Sequence, residues 1–197
     1  ATPERILEGA REVLIRQGYS KFTMRSVAAA VGISPGNLAY HFPSKQMLLR
    51  GVVDRLVTDY SRQFEALLTE EDQDLGSGQD FVNLVRWLLT DAIKEDTVRV
   101  FRELWTISLH DEETRKALDD MYDNVMAGVV DLLHKSFPSV ELHKLQEIIQ
   151  LLALASEGSI VLFGTRRERA VSYERMIDFV TQLIEFYVPE LGLKGSE

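Results

Sequence analysis

The sequence predicts an all-α protein of about nine helices, and three observations carry that prediction. Apolar residues recur at three- and four-residue steps along most of the chain. Helix starts and stops punctuate this periodicity, with serine or threonine ahead of the helices and glycine or proline after them. Alternating strand patterns are almost absent. At 197 residues, with 45% hydrophobic and 27% charged content, the chain can bury a core in one large domain or two small ones.

Taken in order, the elements are marked locally. Thr2 before Pro3 reads as an N-cap with proline at the first helical position, and Ile6, Leu7, Ala10, Val13 and Leu14 follow at helical spacing until Gly18. Thr23 caps a second, short helix with Val27, Ala28 and Val31 on its inner face, closed by Gly32. Ser34 caps a third, opened by Pro35 and followed by Pro43. Ser44 caps a fourth, in which Leu48, Val52, Leu56, Tyr60, Phe64 and Leu67 form an unbroken stripe of about six turns. The acidic, glycine-containing stretch 70–80 reads as a loop. Further helices are predicted near 80–95, 97–110, 112–137, 140–164 and 172–188, with Pro138, Gly164 and Pro189 between or after them. Residues 1–46 form a small head and 47–197 a larger helical body.

Composition narrows the function classes. The chain has no cysteine, which excludes a disulfide framework and a thiolate metal site and points to a reducing cytoplasm. No cationic leader precedes an apolar run. The longest apolar stretch, Ile148 to Phe163, carries Gln150, Ser156, Glu157 and Ser159 and reads as too short and too polar for a membrane span. A soluble cytoplasmic protein with no membrane partner is expected. His110 beside Asp111, Glu112 and Glu113 is assigned no metal, because adjacent helical residues diverge by about 100°. Those carboxylates fit a helix start better. No cofactor is expected either.

Charge is divided unevenly. The net charge is −9, but residues 1–50 hold 7 Lys/Arg against 3 Asp/Glu, and residues 51–197 hold 15 against 28. The head is thus +4 and the remainder −13. A basic head on an acidic body is the distribution expected if only the head meets a polyanion.

Two short helices joined by a tight turn at Gly32 make a helix-turn-helix, whose second helix enters the DNA major groove. On that helix Leu38 and Phe42 lie four apart and face inward with Ile33. Asn37, Tyr40 and His41 occupy the opposite face. Gly36 lets the helix start approach the duplex, Asn37 carries an amide able to pair N6 and N7 of adenine, and Tyr40 and His41 can donate to phosphate. Ser44 and Lys45 at the start of the fourth helix, and Thr23 and Arg25 at the second, favour phosphate in the same way. With Ser34 and Pro35 these form the candidate DNA interface.

Residues 3–50 resemble the DNA-binding head of the TetR/AcrR family of bacterial transcriptional regulators. The run "FTMRSVAAAVGISPGNLAYHFPSKQMLL" is similar to the family pattern nearly end to end, from Thr23 through Val27-Ala28 and Gly32-Ile33 to Tyr40, Phe42, Lys45 and Leu48. Ala39 departs from the bulky residue many members carry, and Asn37 from the commoner small hydroxyl residue. These departures bear on the operator sequence, not on the mode of binding.

The body is less specific. The stretch 145–164 is apolar on more than one face and includes small residues, so it needs burial on two sides. The helix 172–188 is its companion. The resemblance implies a homodimer built from these two helices, with Leu152, Ala155, Gly158, Leu162, Val180, Leu183, Ile184 and Tyr187 as candidate interface residues. A dimer presents two reading helices, hence a near-palindromic double-stranded DNA operator. Phe64, Trp87, Phe101, Trp105, Met121 and Tyr122 are either ordinary core or, as the resemblance implies, the pocket of a small apolar effector. The fourth helix, continuous from Lys45 to Leu67, would serve as a stiff lever transmitting the ligand signal.

Two readings stand at this point. One is a dimeric, effector-responsive transcription regulator, a repressor by the commoner family habit. The other is an all-α enzyme or ligand carrier with an incidental helix-turn-helix, against which stands the lack of His-Glu-x-x-His, Gly-x-Ser-x-Gly and phosphate-cradling glycine motifs.

Overall fold

The computed structural model describes residues 2–69, 78–165 and 168–187, with side chains described throughout these ranges except at 63–69, 78–80 and 187. The described residues form nine α-helices and one 3₁₀ turn, with no strand among them. In chain order these are α1 (Pro3–Gln17), the 3₁₀ turn (Tyr19–Lys21), α2 (Met24–Val31), α3 (Pro35–His41), α4 (Lys45–Thr69), α5 (Gly78–Ala92), α6 (Glu95–Ser108), α7 (Glu112–Ser136), α8 (Leu142–Leu162) and α9 (Tyr173–Tyr187).

Local chemistry sets most of these bounds. Thr2 Oγ1 accepts the Arg5 N–H at 3.4 Å to start α1. Asp111 starts α7, its carboxylate accepting both the Thr114 N–H at 3.3 Å and the Thr114 hydroxyl at 2.9 Å. The acidic run at 110–113 is therefore a helix start, with Glu112 and Glu113 in the first turn. Arg115 bonds Glu112 there and holds its carboxyl below the usual range. The α5 helix ends at Ala92, short of the expected 95, because the Lys94 N–H turns back to the Asp91 carbonyl at 3.0 Å while its ammonium pairs with the Asp91 carboxylate at 2.8 Å. The expected loop over 70–80 lies outside the described residues at 70–77, and 78–80 already belong to α5.

Contacts divide the described residues into two units, one drawn from 1–63 and 99–122 and the other from 64–98 and 123–187. This division is drawn by packing and does not fall at residue 46, where the sequence reading separates head from body. In the first unit α1 packs on α2, and α2 on α3. Ile6, Leu14, Phe22, Val27, Leu38 and Leu48 are fully buried there. Ile6, Leu14, Val27, Leu38 and Leu48 are apolar positions expected from helical spacing, now closed on one another, and Phe22 joins them from the end of the 3₁₀ turn, where no helical period marks it.

In the second unit α5 packs on α8 and α9. Its core includes Phe81, Val85, Leu89, Leu133, Leu145 and Ile149. The Tyr173 hydroxyl donates to the Leu89 carbonyl at 2.6 Å, and burial pushes that phenol above its ordinary value, with Ser159 partly opposing the shift. Arg86 bridges α5 to α9, donating to Asp178 at 3.0 Å and to the Thr181 hydroxyl at 3.2 Å.

Helix α8 corrects one expectation. Its 21 residues, with a mean hydropathy of 1.4 over the most apolar window, are long and apolar enough to cross a membrane, although Ile148–Phe163 reads as too short. The helix begins six residues earlier, at Leu142, which supplies the length. Its stripe of Leu145, Ile149, Leu152, Ser156, Ser159 and Ile160 is buried within the chain, and about a third of the most apolar window is buried in all.

Candidate nucleic-acid interface

The helix-turn-helix is built from interlocking caps. Thr23 and Ser26 form a capping box: the Ser26 N–H donates to Thr23 Oγ1 at 3.1 Å, and the Thr23 N–H to Ser26 Oγ at 3.0 Å. Gly32 then ends α2 in the left-handed region, at φ 74° and ψ 37°. The Ile33 N–H reaches back to the Ala28 carbonyl at 3.0 Å, the six-to-one bond of a Schellman close. Glycine suits this turn because it carries no Cβ to strain at positive φ. Two residues later Ser34 Oγ accepts the Asn37 N–H at 3.1 Å, with Pro35 already at helical φ. Only three residues separate the helices, so the turn and both caps fix the pose of α3.

That pose exposes the expected face. Leu38 is fully buried and anchors α3, whereas Ser34, Pro35, Gly36, Asn37 and Ala39 are exposed and Tyr40 is 84% exposed. His41 is half-buried, its ring edge-on to Tyr40 with centroids 5.2 Å apart. Phe42, half-buried, ends the helix with its N–H on the Leu38 carbonyl at 2.8 Å.

Flanking groups complete the surface. Arg25 and Thr23 are exposed at the start of α2. The Thr23 hydroxyl is engaged locally, accepting from the Ser26 N–H and donating to Ser26 Oγ at 2.9 Å, so any phosphate contact it makes competes with its own cap. Ser44 is likewise a cap, its Oγ accepting the Met47 N–H at 3.2 Å. Lys45 is half-buried, with its ammonium 4.1 Å from the centroid of the Tyr19 ring. Tyr19 is invisible to sequence periodicity, because residues 19 and 45 meet only through the fold of the head. Lys21, in the same 3₁₀ turn, adds an exposed cation beside the start of α2.

The candidate effector residues are distributed between the two units. Phe101, Trp105, Met121 and Tyr122 fall in the first, and Trp87 in the second. Phe64 lies on α4 at a position whose side chain is outside the described set. The Trp105 indole donates to the Tyr122 hydroxyl at 3.1 Å, and the Phe101 ring stands edge-on to Tyr60 with centroids 4.9 Å apart. Phe101 and Met121 are buried. Trp87 packs, partly buried, against the core of its own unit.

The candidate dimer residues sort by face. Leu152 and Ile184 point into their own unit's core, not outward, so they belong to the chain's interior. Leu162 and Leu183 are exposed, and Ala155, Gly158 and Val180 are half-buried. The Tyr187 side chain lies outside the described set. The outward stripe includes Leu151 and Leu154, each 62% exposed, Val161 at 55%, Phe179 at 55% and Phe186 at 67%, none of which stands out from the sequence. Helix α8 is apolar nearly all round, and composition cannot say which apolar stripe faces out.

The comparisons with known proteins agree with this architecture. Residues 6–52 match the model of the tetR family of bacterial regulatory proteins. Over 140 residues the chain is 33% identical to an HTH-type transcriptional regulator of the dhlA 5′ region of Xanthobacter autotrophicus, a match covering 68% of this chain and 66% of that one. It is 36% identical over 52 residues to the HTH-type transcriptional regulator UidR of Escherichia coli, 26% of each chain. The chain thus spans just under two thirds of the first relative and about a quarter of the second. Among solved structures, a TetR-family transcriptional regulator from Mesorhizobium loti superposes with a TM-score of 0.76 at 14% identity, covering 94% of both chains. A transcriptional regulator from Saccharomonospora viridis, solved in complex with choline, gives 0.72 at 22% identity, again covering 94% of both. At such identities the likeness is one of fold.

Proposed function

Since the chain belongs to the tetR family of bacterial regulatory proteins and is a transcriptional regulator with a helix-turn-helix DNA-binding domain, we propose that it acts in the cytoplasm as a homodimeric repressor reading a near-palindromic operator through α3. The observation that carries this is the exposed face of α3, with Asn37 and Tyr40 outward on a short helix whose pose is locked by Gly32 and Ser34. Residues 1–46 are the DNA-binding domain and 47–197 the effector-binding and dimerisation domain. Asn37 reads a base edge, Tyr40 and His41 meet phosphate, and Lys45, Arg25 and Thr23 hold the backbone.

The dimer uses the outward stripes of α8 and α9, where Leu151, Leu154, Phe179 and Leu183 expose apolar surface that a second copy would cover. Two copies related by a two-fold axis place their α3 helices about one DNA turn, roughly 34–36 Å, apart or somewhat more. A small apolar effector acts at Phe101, Trp105, Met121 and Tyr122, where an indole-to-phenol hydrogen bond gives a polar handle inside an aromatic cluster.

Selection of duplexes from a randomised library tests the reading. The wild-type chain should enrich a two-fold motif. Asn37→Ala should lose preference at one base pair in each half-site, at a cost of about 1–3 kcal/mol per contact. Absence of any enriched motif would overturn the DNA reading, and an unchanged motif for Asn37→Ala would remove that residue from base recognition.

A further inference from the structure

Glu103 lies on α6 and Tyr19 in the turn after α1, 84 positions apart in sequence, yet the Tyr19 N–H donates to Glu103 Oε2 at 2.8 Å. Gly18 permits the approach. Its backbone sits at φ 80° and ψ 165°, a region essentially reserved for glycine, and a Cβ there would stand 3.3 Å from Glu103 Oε1. The next residue's ring then lies beneath the Lys45 ammonium, at 4.1 Å from the centroid. One carboxylate thus fixes a turn, the turn orients a ring, and the ring holds a cation at the first residue of α4.

We infer that Tyr19 and Glu103 are positioning residues for Lys45, setting the ammonium where it meets a DNA phosphate. A lysine side chain has four rotatable bonds, and freezing them on binding costs entropy. An ammonium already resting on a π face has lost part of that freedom before DNA arrives, while its remaining N–H groups stay available. Glu103 ties this arrangement to α6. Residues 101 and 103 lie about 200° apart around that helix, so Phe101 faces the aromatic cluster while Glu103 faces the head turn. A shift of α6 is therefore transmitted to Lys45 through a hydrogen bond and a ring. The inference rests on the phosphate role proposed for Lys45.

A double-mutant cycle separates the two claims. The duplex enriched by the wild-type chain is titrated against wild type, Tyr19→Phe, Tyr19→Leu, Glu103→Ala, Lys45→Ala and the doubles carrying Lys45→Ala, over a range of salt. Lys45→Ala should weaken binding and reduce the salt slope by about one per protomer contact. Tyr19→Leu and Glu103→Ala should each weaken binding about two- to five-fold, the range of an exposed cation–π contact, while Tyr19→Phe stays near wild type. In the Lys45→Ala background neither should cost anything further. In the free protein, the Lys45 ε-methylene protons should show an upfield ring-current shift that Tyr19→Leu abolishes and Glu103→Ala reduces.

If Tyr19→Leu and Glu103→Ala weaken binding equally with and without Lys45, or leave it unchanged, the positioning role is wrong while the phosphate role stands. If Lys45→Ala changes neither affinity nor salt slope, the phosphate role fails and the inference with it. Should Tyr19→Leu fail to fold, Glu103→Ala decides the matter by the same cycle, since it removes a partly exposed carboxylate and no core ring.

Discussion

Gly158→Arg separates the fold of the protomer from its association. Gly158 lies in α8 within the outward stripe that runs through Leu151, Leu154 and Leu162 at three- and four-residue steps. A Cβ built there meets no heavy atom of the chain within 4 Å. Inside one protomer the substitution therefore has room, and it removes a helix-interior glycine, a gain of about 0.5–1 kcal/mol. In the proposed dimer the same position becomes buried among apolar side chains. An uncompensated buried charge costs about 3–5 kcal/mol, which raises the dimer dissociation constant by about 10²- to 10³-fold or more. Sedimentation velocity over a concentration series, with thermal melting of the dilute monomer, reads both effects. The expected protein is a monomer of undiminished helicity, and Gly158→Ala is the control that adds no charge. A variant that associates with the wild-type constant removes this stripe from the interface. A variant that loses its helical signal in the monomer refutes the argument that the position is open.

Three further outcomes are expected. Leu38→Ala, at a fully buried position, should destabilise the head by about 2–5 kcal/mol and abolish duplex binding near physiological temperature, as followed by urea unfolding and anisotropy. Gly32→Ala should cost only about 1–2 kcal/mol, because the φ of 74° is strained for alanine while its Cβ meets nothing, so a larger loss by urea unfolding would reveal a contact beyond the turn. The raised Tyr173 phenol makes the folded state bind its proton more tightly than the unfolded chain does. Its contribution is thus complete below the unfolded tyrosine value of about 10 and is lost as pH climbs from there through the folded value. Tyr173→Phe should flatten the fall of stability above about pH 10 in denaturant titrations, and an unchanged slope would assign that fall to other groups.

What the chain declares by itself is whatever is settled within a turn or two of helix. Thr2, Thr23, Ser34 and Ser44 bond to backbone groups three residues on, Gly32 closes α2 on carbonyls just behind it, and Pro35 and Pro43 bracket α3. These groups cannot act at a distance, so local sequence determines them, and with them which side of α3 looks outward once Leu38 is taken as the buried residue. The contrast in charge between head and body is equally a property of sequence alone.

Tertiary structure decided everything that joins residues far apart or selects among equivalent faces. In α8 and α9 apolar residues lie on several sides, so the helical period does not choose between Leu152 and Leu151, or between Ile184 and Phe186. Packing on α5 chose, turning Leu152 and Ile184 inward and leaving Leu151 and Phe186 outside. The aromatic residues read as one set were divided, Phe101, Trp105 and Tyr122 packing together in one unit while Trp87 joined the core of the other. Tyr19, Lys45 and Glu103 carry no mutual signature along the chain, because a hydrogen bond and a ring contact spanning tens of residues exist only once α1, α4 and α6 have met.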